Sequence, residues 1–223
     1  MILQRVSVSE QIFDDIVDKI RRREIVQGQK LVIKNLEQEY GVSSTPVRDA
    51  LYMLKTAGFL EMKSSGTARV ITMEYDDCLE LVRINLGLVR LSFFLIMENG
   101  MAPKLLSGME PLYKKQVELK DAEPEKRIRA YIDFVNYPGA HTGNKFYLGM
   151  TGTLWGKSVV AFGDYTEVYD PDEAFENSRQ MMEALKNEDY ERFQSLRFYM
   201  IEAFGRYLER KHKGAGTSEN AER

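Results

Sequence analysis

Few residues in this chain are equipped for bond-making chemistry. The 223 residues include one cysteine, Cys78, and two histidines, His141 and His212. No histidine, cysteine or paired carboxylates gather in the spacing that nucleophilic, acid–base or metal catalysis needs. Gly139, Gly143, Gly149, Gly152, Gly156 and Gly163 share one stretch, but no G-x-x-x-x-G-K-[ST] phosphate loop is present. Gly139-Ala140-His141-Thr142-Gly143 lacks the central serine of a nucleophile elbow. An enzyme is therefore not expected. The residues with visible chemistry are instead Ser43, Ser44, Thr45 and, one turn later, Arg48. Hydroxyls at a helix start can cap it or bond a phosphate, and one hydroxyl can do both. An arginine in the first helical turn can take a guanine edge bidentately or clamp a phosphate.

The helices that hold these residues are legible from periodicity. Val8, Ile12, Ile16, Val17 and Ile20 recur at three- and four-residue steps, so residues 8–23 read as an amphipathic helix. Ser7 or Ser9 can cap its start, and Arg21, Arg22 and Arg23 suit its end. Lys34 to Tyr40 reads as a short helix closed by Gly41 in a left-handed cap. Ser43, Ser44 or Thr45 caps the next helix, and Pro46 fits its first turn. Val47, Ala50, Leu51 and Leu54 form its buried stripe, and Gly58 ends it. Two β-like segments, Phe59–Met62 and Ala68–Thr72, flank the polar turn Lys63-Ser64-Ser65-Gly66-Thr67. Three helices followed by a hairpin wing are expected to be a winged helix-turn-helix, whose third helix can enter a major groove.

The formal net charge is −3, unfavourable at first sight for a nucleic-acid partner. The charge is uneven: residues 1–72 carry 11 Lys/Arg against 9 Asp/Glu. The basic surplus thus lies in the first third, but it is small, and position matters more than field. After a short acidic connector at residues 73–77, nearly everything reads as helix: Cys78–Glu98, Lys104–Lys120, Glu125–Tyr137, Asp172–Lys186 and Asp189–Lys211. Pro138–Gly163 is expected to be irregular. The expected organisation is a winged helix-turn-helix at 1–72, a connector at 73–77, an all-helical domain at 78–212 and a disordered polar tail at 213–223. The fold class is mainly α, with one small β-hairpin. The sequence shows neither a secretory leader nor an apolar run of membrane-spanning length. With a single cysteine and no intramolecular disulfide, this suggests a cytoplasmic protein.

The N-terminal third resembles the GntR family of regulators. The match rests on Gly28, Leu31, Leu36, Tyr40-Gly41-Val42-Ser43, Thr45-Pro46-Val47-Arg48-Asp49-Ala50-Leu51, Leu54, Gly58-Phe59-Leu60, Gly66 and Val70. The helical remainder resembles the FadR-like branch, through Arg83-x-x-Leu86, Asp133, Ala184-Leu185 and Asp189. The resemblance implies that Lys34, Ser43, Ser44, Thr45 and Arg48 face DNA, and that Ser64, Ser65, Gly66 and Thr67 form the wing tip. The family usually has arginine where this chain has Ser44, which implies altered sequence preference or weaker binding. It further implies a homodimer, a palindromic operator and a repressor that a small effector controls.

Many FadR-like domains resemble one another in holding a metal with one aspartate and three histidines. Carried over, those positions are Asp133, Tyr137, Ser178 and Met200. With only two histidines in the chain, three-histidine ligation within one subunit is impossible. The resemblance then implies a pocket that works without a metal or other cofactor. Arg83, Arg179 and Arg197 could supply positive charge for an anionic organic effector, Arg197 standing three residues before Met200. The effector set is thus Arg83, Asp133, Tyr137, Ser178, Arg197 and Met200. The alternative is a regulator whose C-terminal domain only dimerises and senses no ligand. Rivals from other classes are an enzyme carrying a relic DNA module and a nucleoid-type binder without effector.

Overall fold

The first helix begins where Ser7 and Glu10 cap one another. The Glu10 amide donates to Ser7 Oγ at 3.1 Å and the Ser7 amide donates to the Glu10 carboxylate at 2.6 Å. That reciprocal pair satisfies two amides that a helix start leaves free. The computed structural model describes residues 7–62, 67–163 and 165–219, with side chains through His212. The predicted wing-tip residues Ser64, Ser65 and Gly66 lie outside the described residues.

Helix α1 (Val8–Arg21) buries Ile12, Ile16, Val17 and Ile20. It packs on α3 (Ser44–Thr56), which buries Val47, Ala50, Leu51 and Leu54, the stripe expected from periodicity. Between them α2 (Ile33–Tyr40) ends at Gly41, whose φ of 63° is the left-handed conformation a Cβ would strain. Tyr40 and Lys19 tie α2 to α1. The Tyr40 hydroxyl donates to Asp15 at 2.6 Å, and Lys19 pairs with Asp15 at 2.7 Å and with Glu39. Strands β1 (Lys30–Leu31), β2 (Leu60–Met62) and β3 (Ala68–Val70) form one antiparallel sheet in the order β1-β3-β2. Leu60 faces Val70 and Met62 faces Ala68 across the hairpin, while Lys30 faces Arg69. The two-residue β1 is too short to leave a periodic trace, and nothing in the sequence announced it.

The remaining helices are α4 (Tyr75–Glu98), α5 (Ala102–Glu118), α6 (Pro124–Ala140), α7 (Lys145–Phe162), α8 (Pro171–Lys186) and α9 (Tyr190–Glu219). Helices α4, α5, α6, α8 and α9 pack on one another as a bundle. Its core includes Ile96, Leu105, Met109, Ile128, Tyr131, Phe134, Met181 and Phe193. The structure departs from the sequence pattern in two places. The stretch Pro138–Gly163 is not irregular: α6 continues through Pro138 to Ala140, and α7 takes up most of the stretch. At the far end, α9 stays helical to Glu219, into the segment expected to be a tail.

The chain divides into two units, and the cut is not a single one. Residues 7–74 are joined by 150–163, while 75–149 and 165–219 form the other unit. In the first unit, Trp155 of α7 lies edge-on to Phe59 with ring centres 5.0 Å apart and 6.4 Å from Phe13. The Gly156 amide donates to the Ala57 carbonyl at 3.1 Å, and Gln27 donates to the Val160 carbonyl at 3.1 Å. A Cβ on Gly156 would stand 2.1 Å from the Ala57 oxygen, and one on Gly58 2.2 Å from the Thr153 oxygen. Glycine on both sides is therefore what lets α7 touch the turn that ends α3. Gly156 and the other glycines of 138–163 made that stretch look structureless, because they lower helix propensity.

Candidate nucleic-acid interface and ligand-binding residues

The face of α3 opposite its buried stripe is where contact chemistry can occur. Thr45, Arg48, Asp49 and Tyr52 are exposed along it. Arg48 makes no ion pair or hydrogen bond among the described residues, not even with the neighbouring Asp49. Its guanidinium is left to meet a partner from outside. Ser43 stands at the N-cap, extended at φ −74° and ψ 171°, yet its side chain makes no cap hydrogen bond. Its hydroxyl is exposed, as is that of Thr45, while Ser44 is partly covered. Lys34, exposed on the first turn of α2, likewise has no ion pair among the described residues. Thr67, at the foot of the wing, is partly buried and already engaged.

Sequence reading missed one residue of this face. Tyr52 is 69% exposed, far more than an aromatic ring ordinarily is, and it stands four residues after Arg48. The signal was available: position 52 falls on the opposite side from Val47, Ala50, Leu51 and Leu54, so its ring could not be core.

In the bundle the residues carried over from the family do not converge. Arg83 is exposed. Asp133 points outward from α6 and pairs with Lys115 at 3.4 Å. Tyr137 stacks on His141 with ring centres 3.8 Å apart, and its hydroxyl fills the space over Gly108. Ser178 is fully buried, and its hydroxyl lies 3.0 Å from Gln116 Oε1 and 3.2 Å from the Ala174 carbonyl. Met200 is partly buried, its carbonyl accepting from Tyr169 at 3.2 Å. A thioether, a phenol, a buried hydroxyl and an outward carboxylate neutralised by lysine do not fit a divalent cation. Among the described residues no three His, Cys, Asp or Glu side chains are grouped to hold a metal. Arg179 is committed at the surface to Glu176 and Glu183.

Arg197 differs from all of these. It is 5% exposed on α9 and hydrogen-bonds only to neutral groups: Ser92 Oγ at 2.8 Å, Gln194 Oε1 at 3.1 Å and, weakly, the Val89 carbonyl at 3.4 Å. Burial pushes its guanidinium down to about 10, with Tyr147 offsetting part of the shift, so it is still a cation at neutral pH. Its Nε has no partner, and neither does Nε2 of the buried Gln116. Among the described residues of this unit these are the two buried side-chain atoms left without a hydrogen bond, and both are donors, while the Tyr131 hydroxyl donates to Asn177 Oδ1 at 3.2 Å.

Residues 8–70 match the bacterial regulatory proteins of the gntR family. The chain is similar to the HTH-type transcriptional regulator McbR of Escherichia coli strain K12, 25% identical over 193 residues, covering 85% of this chain and 87% of that protein. The solved structure of E. coli McbR/YncC superposes with a TM-score of 0.73 at 23% identity, over 93% of this chain and 100% of that one. The structure of Lar, described as controlling expression of the Listeria monocytogenes agr system, gives a TM-score of 0.63 at 16% identity, over 93% of this chain and 99% of that one. At such identities the two structures speak for the fold: a winged helix-turn-helix with a helical C-terminal domain.

Proposed function

We propose, from a chain that carries a gntR-family DNA-binding domain, that this transcription regulator reads a palindromic operator as a homodimer of the FadR-like branch and is a cytoplasmic repressor. Repression is the simplest action of such a dimer, since a seated protein excludes other proteins from the site. The observation that carries the reading is the exposed, unpaired Arg48 on α3, beside Thr45, Tyr52 and the uncapped hydroxyl of Ser43. Arg48 reads a base edge, while Lys34, Ser43, Ser44 and Thr45 hold phosphates, and the wing residues Ser64, Ser65, Gly66 and Thr67 reach the neighbouring backbone.

The dimer forms through α4. Ile84, Leu91 and Phe94 recur at seven- and three-residue steps and are all exposed, with Gly87 open between them. One apolar stripe per subunit suits a two-fold interface, because the same patch serves both partners. The helical unit also senses an anionic organic effector without a metal. The support is that, among the described residues, its unsatisfied buried side-chain atoms, Arg197 Nε and Gln116 Nε2, are donors, the latter beside Ser178. The second reading, a unit that dimerises and senses nothing, is favoured by the ring packing of Tyr131, Tyr169 and Tyr199 in the interior.

Selection of bound duplexes from a random library, at near-physiological salt, tests the DNA reading. The expected product is an inverted repeat with half-sites about one helical turn apart. Recovery of unrelated sequences with equal affinity would leave a nucleoid-type binder instead.

A further inference from the structure

The turn that ends α4 requires a glycine, and that requirement has a chemical consequence. Asn99 follows Glu98 at the end of the helix, and Gly100 adopts φ 62°, the left-handed conformation a Cβ would strain. The Met101 amide donates to the Ile96 carbonyl at 2.9 Å and the Gly100 amide to the Met97 carbonyl at 3.1 Å, the paired bonds that close a helix through a left-handed residue. Asn99 and Gly100 are both exposed, and nothing stands within 4 Å of a Cβ built on Gly100. No other asparagine of the chain is followed by glycine. The Asn99 side chain is itself engaged. Its Nδ2 donates to the Thr142 carbonyl at 2.8 Å, and a Cβ on Gly143 would lie 3.5 Å from the same nitrogen. Thr142 is fully buried, in the connection 141–144 between α6 and α7. One side-chain amide thus ties that connection to the end of α4.

We propose that Asn99-Gly100 is a site of spontaneous covalent modification, deamidation through a cyclic imide, and that the reaction loosens the helical unit by breaking its tie to Thr142. The Gly100 nitrogen attacks Asn99 Cγ. A C–N bond forms, the Cγ–Nδ2 bond breaks, and Nδ2 leaves as ammonia with the proton that the Gly100 nitrogen gives up. One water then opens the imide ring. Opening at Cγ leaves aspartate, and opening at the Asn99 main-chain carbonyl leaves isoaspartate, whose backbone runs through the side-chain methylene. A side chain on the following residue would crowd the attack, and the glycine that the turn demands does not. The Gly100 N–H must first leave the Met97 carbonyl, and the last turn is where a helix opens most readily. Either product replaces the Nδ2 donor by a carboxylate oxygen, an acceptor set against another acceptor. The Thr142 carbonyl then loses its donor and gains a neighbouring negative charge. The modification needs neither DNA nor an effector.

The full-length protein is incubated in neutral buffer, sampled over weeks, digested with trypsin and weighed peptide by peptide. The peptide 91–104 holds Asn99 and no other asparagine or glutamine, so an amide lost from it is the Asn99 amide. A sample kept unfolded in guanidinium chloride gives the rate without the fold. In the native sample this peptide is expected to gain the mass of an amide-to-acid exchange ahead of the peptides that carry Asn85, Asn136 and Asn144. An isoaspartate-specific methyltransferase should label part of the product. Asn99→Asp is expected to lower the unfolding temperature by roughly 2–4 °C, and Asn99→Ser, which loses the hydrogen bond without adding a charge, by less. Conversion in the unfolded sample alone would overturn the site, because the fold would then protect the bond. Equal conversion at the other asparagines would overturn it as well. An Asn99→Asp protein that unfolds together with the wild type would overturn the loosening through Thr142.

Discussion

At the scale of single residues, the face proposed to read DNA is a small number of side chains set free by what their neighbours do not bond. Among the described residues Arg48 is unpaired, Ser43 does not spend its hydroxyl on the cap, and Tyr52 is 69% exposed. On a helix proposed to face the groove, an exposed ring with a hydroxyl tip can meet a phosphate or a base edge. Tyr52→Ala is expected to weaken operator binding by roughly 5- to 30-fold, about 1–2 kcal/mol, with Tyr52→Phe in between, read by fluorescence anisotropy. Circular dichroism should show the helix content unchanged, because the ring supports no core. Arg48 and Ser43 were legible because their spacing from the buried stripe fixes the outward direction. Asp133 and Tyr137 were located by a carried-over pattern, and one register error on a helix turns an inward residue outward. The buried positions on α6 are Ile128, Ala130, Tyr131, Phe134, Val135 and Pro138, so Asp133 falls on the solvent side. That the buried cation is Arg197 rather than Arg83 or Arg179 depends on which helices cover it, information that no single helix carries.

At the scale of elements, α7 is the feature that sequence patterning concealed. Its glycines weaken helix propensity one by one, but Gly156 stands where any larger residue would meet backbone. Gly156→Ala would place a Cβ 2.1 Å from the Ala57 oxygen, so α7 must lift from the α3 turn. Thermal unfolding should show a loss of about 1–3 kcal/mol, as for other overpacked sites. Gly152, also inside α7, has nothing within 4 Å of a Cβ, and Gly152→Ala should instead stabilise by up to about 1 kcal/mol. Opposite signs for two identical substitutions four residues apart would be hard to explain without this contact. The α1–α2 pin makes a separate prediction. Burial alone would raise the Asp15 carboxyl, but hydrogen bonds from Lys19 and Tyr40 outweigh it and hold it below the usual carboxylate value. A carboxylate lowered on folding stabilises fully above its unfolded value of about 3.9, and the gain is lost as pH falls through the folded value. Unfolding of the wild type should therefore become easier below about pH 4, while Asp15→Asn is weaker at neutral pH and loses part of that dependence.

At the scale of the whole molecule, two reading heads give specificity that one cannot, because a single half-site holds too little information. The α4 stripe of Ile84, Leu91 and Phe94 is the surface assigned to pairing, and Phe94 is 59% exposed in one chain. Phe94→Glu should convert a dimer to a monomer in sedimentation equilibrium and abolish binding to a two-half-site duplex, leaving weak half-site binding. The broad architecture was legible from periodicity, since both the helix-helix-turn-helix-hairpin order and the helical remainder leave strong apolar stripes. The division of the chain was not, because residues 150–163 return to the first unit through contacts far away in sequence.

The proposed function turns on α3 reading base sequence through Arg48. It is decided by the affinity of wild type and Arg48→Ala for a selected operator and for a shuffled duplex at near-physiological salt. The wild type should prefer the operator by roughly a thousandfold or more. Arg48→Ala should lose roughly 5- to 150-fold on the operator, about 1–3 kcal/mol, and much less on the shuffled duplex. Equal wild-type affinity for the two duplexes, or an operator affinity untouched by Arg48→Ala, would contradict that role for α3.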